Sequence, residues 1–233
     1  MEVKLVARTL DVFEIFARQG RPLSLTELAR ELDAAPSSTL ALVRTLITRG
    51  YLYEPSRRGA YYPTKKMHVS STRIDDADPV LECFRPHLSA LRDVCRETVV
   101  LGQRLGERVI YLDVVASPQA IRYIAEPGDT RALYTNSIGR ALFAALPDSQ
   151  QRELCDDPAI LQQAQISASR GWGENVGDSV PDLAALAVSI QAAGGWYGVS
   201  IAGPIGRMQS CWDAHVQALQ RTRADLQQAF ALL

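Results

Sequence analysis

Nowhere in this chain of 233 residues does an apolar run approach the roughly 18 residues that a bilayer-spanning helix needs. The first residues, MEVKLVARTLDVF, carry Glu2 and Asp11 and lack the apolar centre of a signal peptide, so a cytoplasmic, non-membrane protein is expected. Cysteine is scarce. Cys83, Cys95, Cys155 and Cys211 form no close pair, which fits reduced thiols better than a disulfide framework or a zinc site.

Catalytic signatures are missing as well. His68, His87 and His215 fall in unrelated segments and no HExxH occurs. There is no GxxxxGK phosphate loop, and GWGENVG at 171–177 misses the dinucleotide spacing by one residue. The hydrolase elbow GxSxG is absent. Cys211 and His215 lie four apart and could make a thiolate pair, but no orienting third group accompanies them, so packing or surface roles are expected. No enzyme activity, metal or cofactor is expected.

What is present is uneven. Residues 1–73 hold 12 Lys+Arg against 7 Asp+Glu, a surplus of 5, whereas the other 160 hold 13 against 19, a deficit of 6. A basic module joined to an acidic body fits one part on nucleic acid and another elsewhere.

Inside the basic part, Ser24-Leu25-Thr26-Glu27 reads as a capping box. Leu25, Leu28, Ala29 and Leu32 follow at helical spacing. Asp33-Ala34-Ala35-Pro36 breaks the pattern, and Pro36 suits the first turn of a second helix. Leu40, Val43, Leu46 and Ile47 give that helix an apolar face, and Gly50 stops it. This is helix-turn-helix spacing. Strands at 51–53 and 60–62, joined by a turn carrying Arg57 and Arg58, make a basic wing able to lie along a DNA backbone. Ser37, Ser38 and Thr39 open the second helix, where short hydroxyls can reach phosphates or base edges or else merely cap a core helix. Arg44 follows on the same recognition helix. Val6, Leu10, Phe13 and Ala17 predict a first helix packing beneath the pair.

The expected boundaries are a winged helix-turn-helix domain at 1–66, a linker at 67–78 and a second domain at 79–233. In the latter, Phe84, Leu88, Leu91 and Cys95 predict a helix with a kink or restart at Pro86. Runs at 99–105 and 109–115 predict a hairpin around Gly106, and 120–126 a third strand. Helices are expected at 137–146 and 148–169, the latter broken near Pro158. Strands follow at 183–189 and 196–201, then a long amphipathic helix through Trp212, Leu219, Leu226 and Phe230. Such an order predicts an α+β fold with an antiparallel sheet.

The segments VARTLDVFEIF, ELARELDAAPSSTLALVRTLITRGYL, RPHLSALRDVCRETVVLGQRLGERVIYLD, GDTRALYTNSIGRALFAALP and GVSIAGPIGR stand in the order found in the IclR family of bacterial transcriptional regulators, which the chain resembles over nearly its whole length. The resemblance implies a winged helix-turn-helix, a linker helix and a GAF-like effector domain. It also implies binding to an operator in double-stranded DNA, dimers through the DNA-binding domain that often pair into tetramers, and a small organic effector, frequently an organic acid or aromatic catabolite. Carried over residue by residue, the effector would meet Leu133, Ser137, Ile138, Gly139, Trp172, Glu174, Leu183, Ser200 and Ala202. Trp172, between glycines, would be a lid over that pocket or a plug in the core.

Departures from the family pattern modify this. Leu42 stands where an arginine is usual, and Ser137-Ile138-Gly139-Arg140-Ala141 replaces Ala-x-Gly-Lys-Ala. Leu183 replaces a frequent Cys and Ala202 a second strand Ser, which makes the pocket more apolar and favours an effector with an aromatic or alkyl body. The expectation is a ligand-responsive regulator, repressor preferred to activator. Two rivals stand beside it: a constitutive DNA-binding oligomer without effector, and a small-molecule enzyme with an N-terminal interaction module.

Overall fold

Helix α1 (Lys4–Gln19) turns Val12, Ile15 and Phe16 inward and ends at Gly20 in the left-handed conformation, φ 61°. It begins the first of two compact units, Met1–Asp78 and Pro79–Leu233, in a computed structural model that describes residues 3–56 and 59–231. Next come β1 (Leu23–Ser24), α2 (Leu25–Glu31), α3 (Pro36–Thr48), β2 (Leu52–Ser56), β3 (Ala60–Pro63) and α4 (Lys66–Asp76). The capping box forms as its sequence predicts: Glu27 N–H donates to Ser24 Oγ, and Glu27 Oε2 accepts from Ser24 N–H at 2.8 Å. Bonds from the Ser24 backbone and hydroxyl, then from Arg21, pull the Glu27 carboxyl down to about 2. The sheet order is β1-β3-β2, antiparallel throughout. Val12, Leu28, Val43 and Leu52 meet at its centre.

The face foreseen for α1 is wrong. Val6 and Leu10 are 58% and 55% exposed and Ala17 is exposed, while Phe13 is half-buried. The helix carries apolar side chains on two sides, and the 12/15/16 side meets α2 and β3, where Phe16 stacks edge-on against Tyr62. The wing's Arg57 and Arg58 lie outside the described residues.

The second unit opens with α5 (Pro79–Cys95), which runs through Pro86 without restarting. It continues through β4 (Thr98–Leu105), β5 (Arg108–Val115), β6 (Thr130–Ala132), α6 (Ser137–Ala144), α7 (Asp148–Leu154) and α8 (Pro158–Arg170). Last come β7 (Gly173–Val176), β8 (Leu183–Ala192), β9 (Gly195–Pro204), α9 (Ile205–Ser210) and α10 (Trp212–Ala231). The six strands form one antiparallel sheet ordered β6-β5-β4-β9-β8-β7. Val99, Leu101, Leu186, Val199 and Ile201 face one way, against Phe84, Leu88, Leu91, Leu219 and Leu226 of α5 and α10. Val100 and Ala187 face the other way, against Leu133, Ile138 and Leu142. With helices over both faces, β8 and β9 are buried along almost their whole length.

Helix α6 lies unusually close to the sheet because two strand residues lack a Cβ. A methyl built at Gly198 would sit 2.4 Å from Ile138 Cγ2, and one at Gly173 would sit 2.5 Å from the Ser137 carbonyl oxygen. The strand expected at 120–126 does not form. Residues 116–129 are irregular and β6 is the short Thr130–Ala132, paired with β5. Side chains satisfy this segment's backbone instead: Thr98 Oγ1 donates to the Tyr123 carbonyl at 2.7 Å and Arg207 Nη2 to that of Ile121 at 2.8 Å.

Candidate nucleic-acid interface and ligand chamber

Along α3, Ser37, Ala41, Arg44 and Thr48 recur at intervals of four, three and four residues and are all exposed, so they make one stripe facing away from the core. Thr39 does not join it. Its side chain is 1% exposed and its hydroxyl donates to the Ala35 carbonyl at 3.1 Å. Ser38 is exposed, but it also donates to Ala35, at 2.9 Å, and lines an apolar groove with Leu5, Phe13, Leu42 and Met67, which Ala41 of the stripe borders too. Leu42 belongs to the core and to that groove, so the missing arginine is not on the exposed stripe. Of the foreseen DNA contacts, the structure presents Ser37 and Arg44 together on one face.

The sheet's register assembles the second site. Ala185 pairs with Ala202 and Ala187 with Ser200 across β8 and β9, while Thr98 and Val100 of β4 pair with Ala202 and Ser200. Directly opposed residues share a face, so Leu183, Ala185, Ser200, Ala202 and Thr98 look the same way. Over them lies the irregular segment 116–129, whose Tyr123 packs onto Leu183, Ala185 and Ala202. The Tyr123 and Tyr111 hydroxyl oxygens are 3.4 Å apart, and Tyr111 accepts from Asn136 Nδ2 at 3.0 Å. Asn136 Oδ1 in turn caps α6 by accepting from Gly139 N–H at 3.2 Å. Burial first, then the Tyr123 hydroxyl, push the Tyr111 phenol above its ordinary range and keep it neutral, able to donate and accept.

Leu133, Ser137, Ile138 and Gly139 are all buried. Gly139 has a packing reason: a Cβ there would stand 2.0 Å from the Leu133 carbonyl oxygen. Trp172 and Glu174 do not join this face. Glu174 pairs with Leu186 across β7 and β8 and so shares the opposite face, where its carboxylate pairs with Arg170 at 2.8 Å. Trp172 packs toward the α5/α10 core beneath the Arg170 guanidinium, 5.4 Å from the ring centroid. Thr98, Tyr111, Tyr123 and Asn136 escape sequence reasoning, although Asn136 carried a signal as the capping residue just before Ser137.

Models of two known domains account for most of the chain: the IclR helix-turn-helix domain over residues 5–56 and the bacterial transcriptional regulator IclR C-terminal domain over 74–227. The chain belongs to the IclR family of bacterial transcriptional regulators. Among its IclR-family relatives, the HTH-type transcriptional regulator BhcR of Paracoccus denitrificans is 31% identical over 93% of this chain and 82% of its own length. TtgV of Pseudomonas putida is 20% identical over 97% of this chain and 92% of its own. Solved IclR structures have the same fold. A regulator from Alicyclobacillus acidocaldarius superposes with a TM-score of 0.80 at 21% identity, covering 98% of this chain and 99% of that one. An IclR homologue from Microbacterium hydrocarbonoxydans, solved in complex with 4-hydroxybenzoate, gives 0.78 at 18%, covering 98% and 100%.

As an IclR-family protein the chain is a DNA-binding regulator of transcription, and its first unit is the DNA-binding part. Among the described residues no three His, Cys, Asp or Glu side chains are grouped to hold a metal ion, and no helix is long and apolar enough to cross a membrane. Cys211 is exposed, whereas His215 four residues on is only 5% exposed.

Proposed function

We propose that this regulator is a homo-oligomeric repressor whose operator affinity changes when a small organic acid with an aromatic body enters the chamber beneath residues 116–129. The observation that carries this reading is the placement of Tyr123. An aromatic ring already rests on Leu183, Ala185 and Ala202 with its hydroxyl turned toward Tyr111. A ligand with a flat apolar body and one hydroxyl or carboxyl end matches the same surfaces, and it takes the place of the ring. The 4-hydroxybenzoate bound to the Microbacterium homologue is a molecule of this kind. Ser200, 3% exposed on the same face, and the neutral Tyr111 phenol supply polar contacts.

Exposed apolar side chains of the first unit support assembly. Leu5, Val6 and Leu10 of α1 are 65%, 58% and 55% exposed, and Met67, Val69 and Ile74 of α4 are exposed too. A groove of about 540 Å³ runs among α1, α3 and α4. A second copy covering these surfaces removes the apolar area from water and sets two α3 helices at a fixed separation for two half-sites. The effector acts only if it binds the DNA-competent and released arrangements with different affinities.

The deciding experiment titrates the DNA upstream of the protein's own gene against a scrambled duplex at two salt concentrations, with and without a pool of hydroxybenzoates and aliphatic acids. Sequence-selective binding weakened by the aromatic members supports the proposal. Selective binding that no acid alters leaves a constitutive regulator and removes the effector.

A further inference from the structure

A cavity of about 170 Å³ lies where α6, α8 and α10 approach β8, bounded by Ala141, Ala144, Ser167, Trp172, Ser189 and Arg223. It shares no residue with the chamber under Tyr123. Three buried polar atoms at or beside it have no hydrogen-bond partner among the described residues. Ser167 is 2% exposed, yet its Oγ bonds to nothing, although a helical serine commonly returns its proton to the carbonyl one turn back. Trp172 Nε1 is likewise buried and unpartnered. Against the Trp172 ring, Arg170 uses Nε on the Trp172 carbonyl at 3.0 Å and Nη1 on Glu174 at 2.8 Å, leaving Nη2 buried without a partner. Native structures rarely leave such groups unsatisfied.

The unmet groups are an indole N–H, a guanidinium N–H and a hydroxyl. What they need is an acceptor, yet no carboxylate lines the cavity. The charge balance narrows the choice. Glu174 already neutralises Arg170, while Arg223 forms no ion pair among the described residues and reaches only the Gly171 carbonyl, at 3.4 Å. One cation calls for one negative charge. The remaining wall is the methyl groups of Ala141, Ala144, Ala145 and Ala168, with Gly171 and Ser189 beside them.

We propose that this cavity binds a short-chain monocarboxylate, its oxygens accepting from Ser167 Oγ, Trp172 Nε1 and Arg223 and its alkyl end lying against the alanines. This is a second ligand site, and it stands whether or not the first chamber takes an aromatic acid.

Trp172 provides its own reporter. The full chain labelled with 5-fluorotryptophan carries three fluorine signals, from Trp172, Trp196 and Trp212, and loss of one in W172F identifies the signal of interest. Propionate added at constant ionic strength should shift that signal alone and to saturation, while phosphate and chloride leave it in place. Ser167→Ala and Arg223→Met should each raise the apparent Kd, the latter about tenfold or more because a charge-assisted bond is lost. Ser167→Ala removes a hydroxyl that bonds to nothing, so it keeps the test valid if Arg223→Met fails to fold. A Trp172 signal that stays still, or drifts in proportion to every anion, overturns the proposal. So does a saturating shift that Ser167→Ala leaves unchanged.

Discussion

Arg207 holds Glu97 in a two-point ion pair, Nε to Oε1 at 2.5 Å and Nη2 to Oε2 at 2.8 Å, across 110 positions of sequence. Glu97 is 3% exposed, and a Cβ at Gly203 would stand 2.4 Å from its Oε2, so the carboxylate has no room to turn elsewhere. The same Nη2 donates to the Ile121 carbonyl, which pins the segment carrying Tyr123. Removing the guanidinium strands a buried charge. Arg207→Met should therefore lower the unfolding free energy by about 2–3 kcal/mol, below the usual range for a broken buried pair because Arg207 is partly exposed. Urea denaturation measures the loss, and amide exchange at 119–124 should speed up with it. A variant as stable as the parent would mean that the pair contributes nothing net.

Gly198 and Ile138 define the gap between β9 and α6. Gly198→Ala puts a methyl 2.4 Å from Ile138 Cγ2, and the helix has to move or the side chain leave its rotamer. The expected cost is about 1–3 kcal/mol. Ile138→Val shortens the opposing side chain, so the double variant should recover part of it. A double-mutant cycle reads that coupling directly, and purely additive effects would show that the strain is relieved elsewhere.

His215 gives the second unit a pH dependence of known sign. Burial holds its pKa below the ordinary 6.5, with Glu97 opposing in part, and Nδ1 has no partner among the described residues. The unfolded chain therefore binds more protons than the folded one once the pH falls toward 6.5. Stability is full above that value and declines as the pH drops through it toward the lower folded pKa. Denaturation midpoints between about pH 7.5 and pH 5 should fall for the parent chain and fall less for His215→Gln. Parallel profiles would place the responsible group elsewhere.

Much of this architecture is written locally, which is why it can be read. Ser24 and Glu27 sit three apart, Pro36 opens its helix, and Gly106 joins two β-rich runs; each feature acts over a few residues. Faces are harder. Val6 and Leu10 repeat at helical spacing as well as Val12, Ile15 and Phe16 do, and only tertiary packing decides which side goes inward. Residues 120–126 look like a strand, but a strand needs a neighbour, and their carbonyls bond to Thr98 and Arg207 instead. Glu174 lies one residue from the chamber's face, and in a strand one residue reverses the side. The chamber itself depends on Tyr123 returning over Leu183 and Ala202, pairs separated by at least 60 residues in sequence, which no local pattern encodes.

The recognition helix makes a test in which two neighbouring positions should behave differently. Arg44 is exposed on the same stripe as Ser37, whereas the Thr39 hydroxyl is committed to the Ala35 carbonyl inside the protein. Arg44→Ala should weaken DNA binding on all sequences and reduce the slope of log affinity against log salt by about 0.9 per protomer, the effect of one lost phosphate contact. Thr39→Val keeps the shape and removes the internal bond. It should cost about 1 kcal/mol of stability and leave the salt slope unchanged. Fluorescence anisotropy across a salt series, with unfolding followed in parallel, separates the two. If Thr39→Val flattens the slope as much as Arg44→Ala, α3 presents a different face to DNA than the stripe from Ser37 to Thr48.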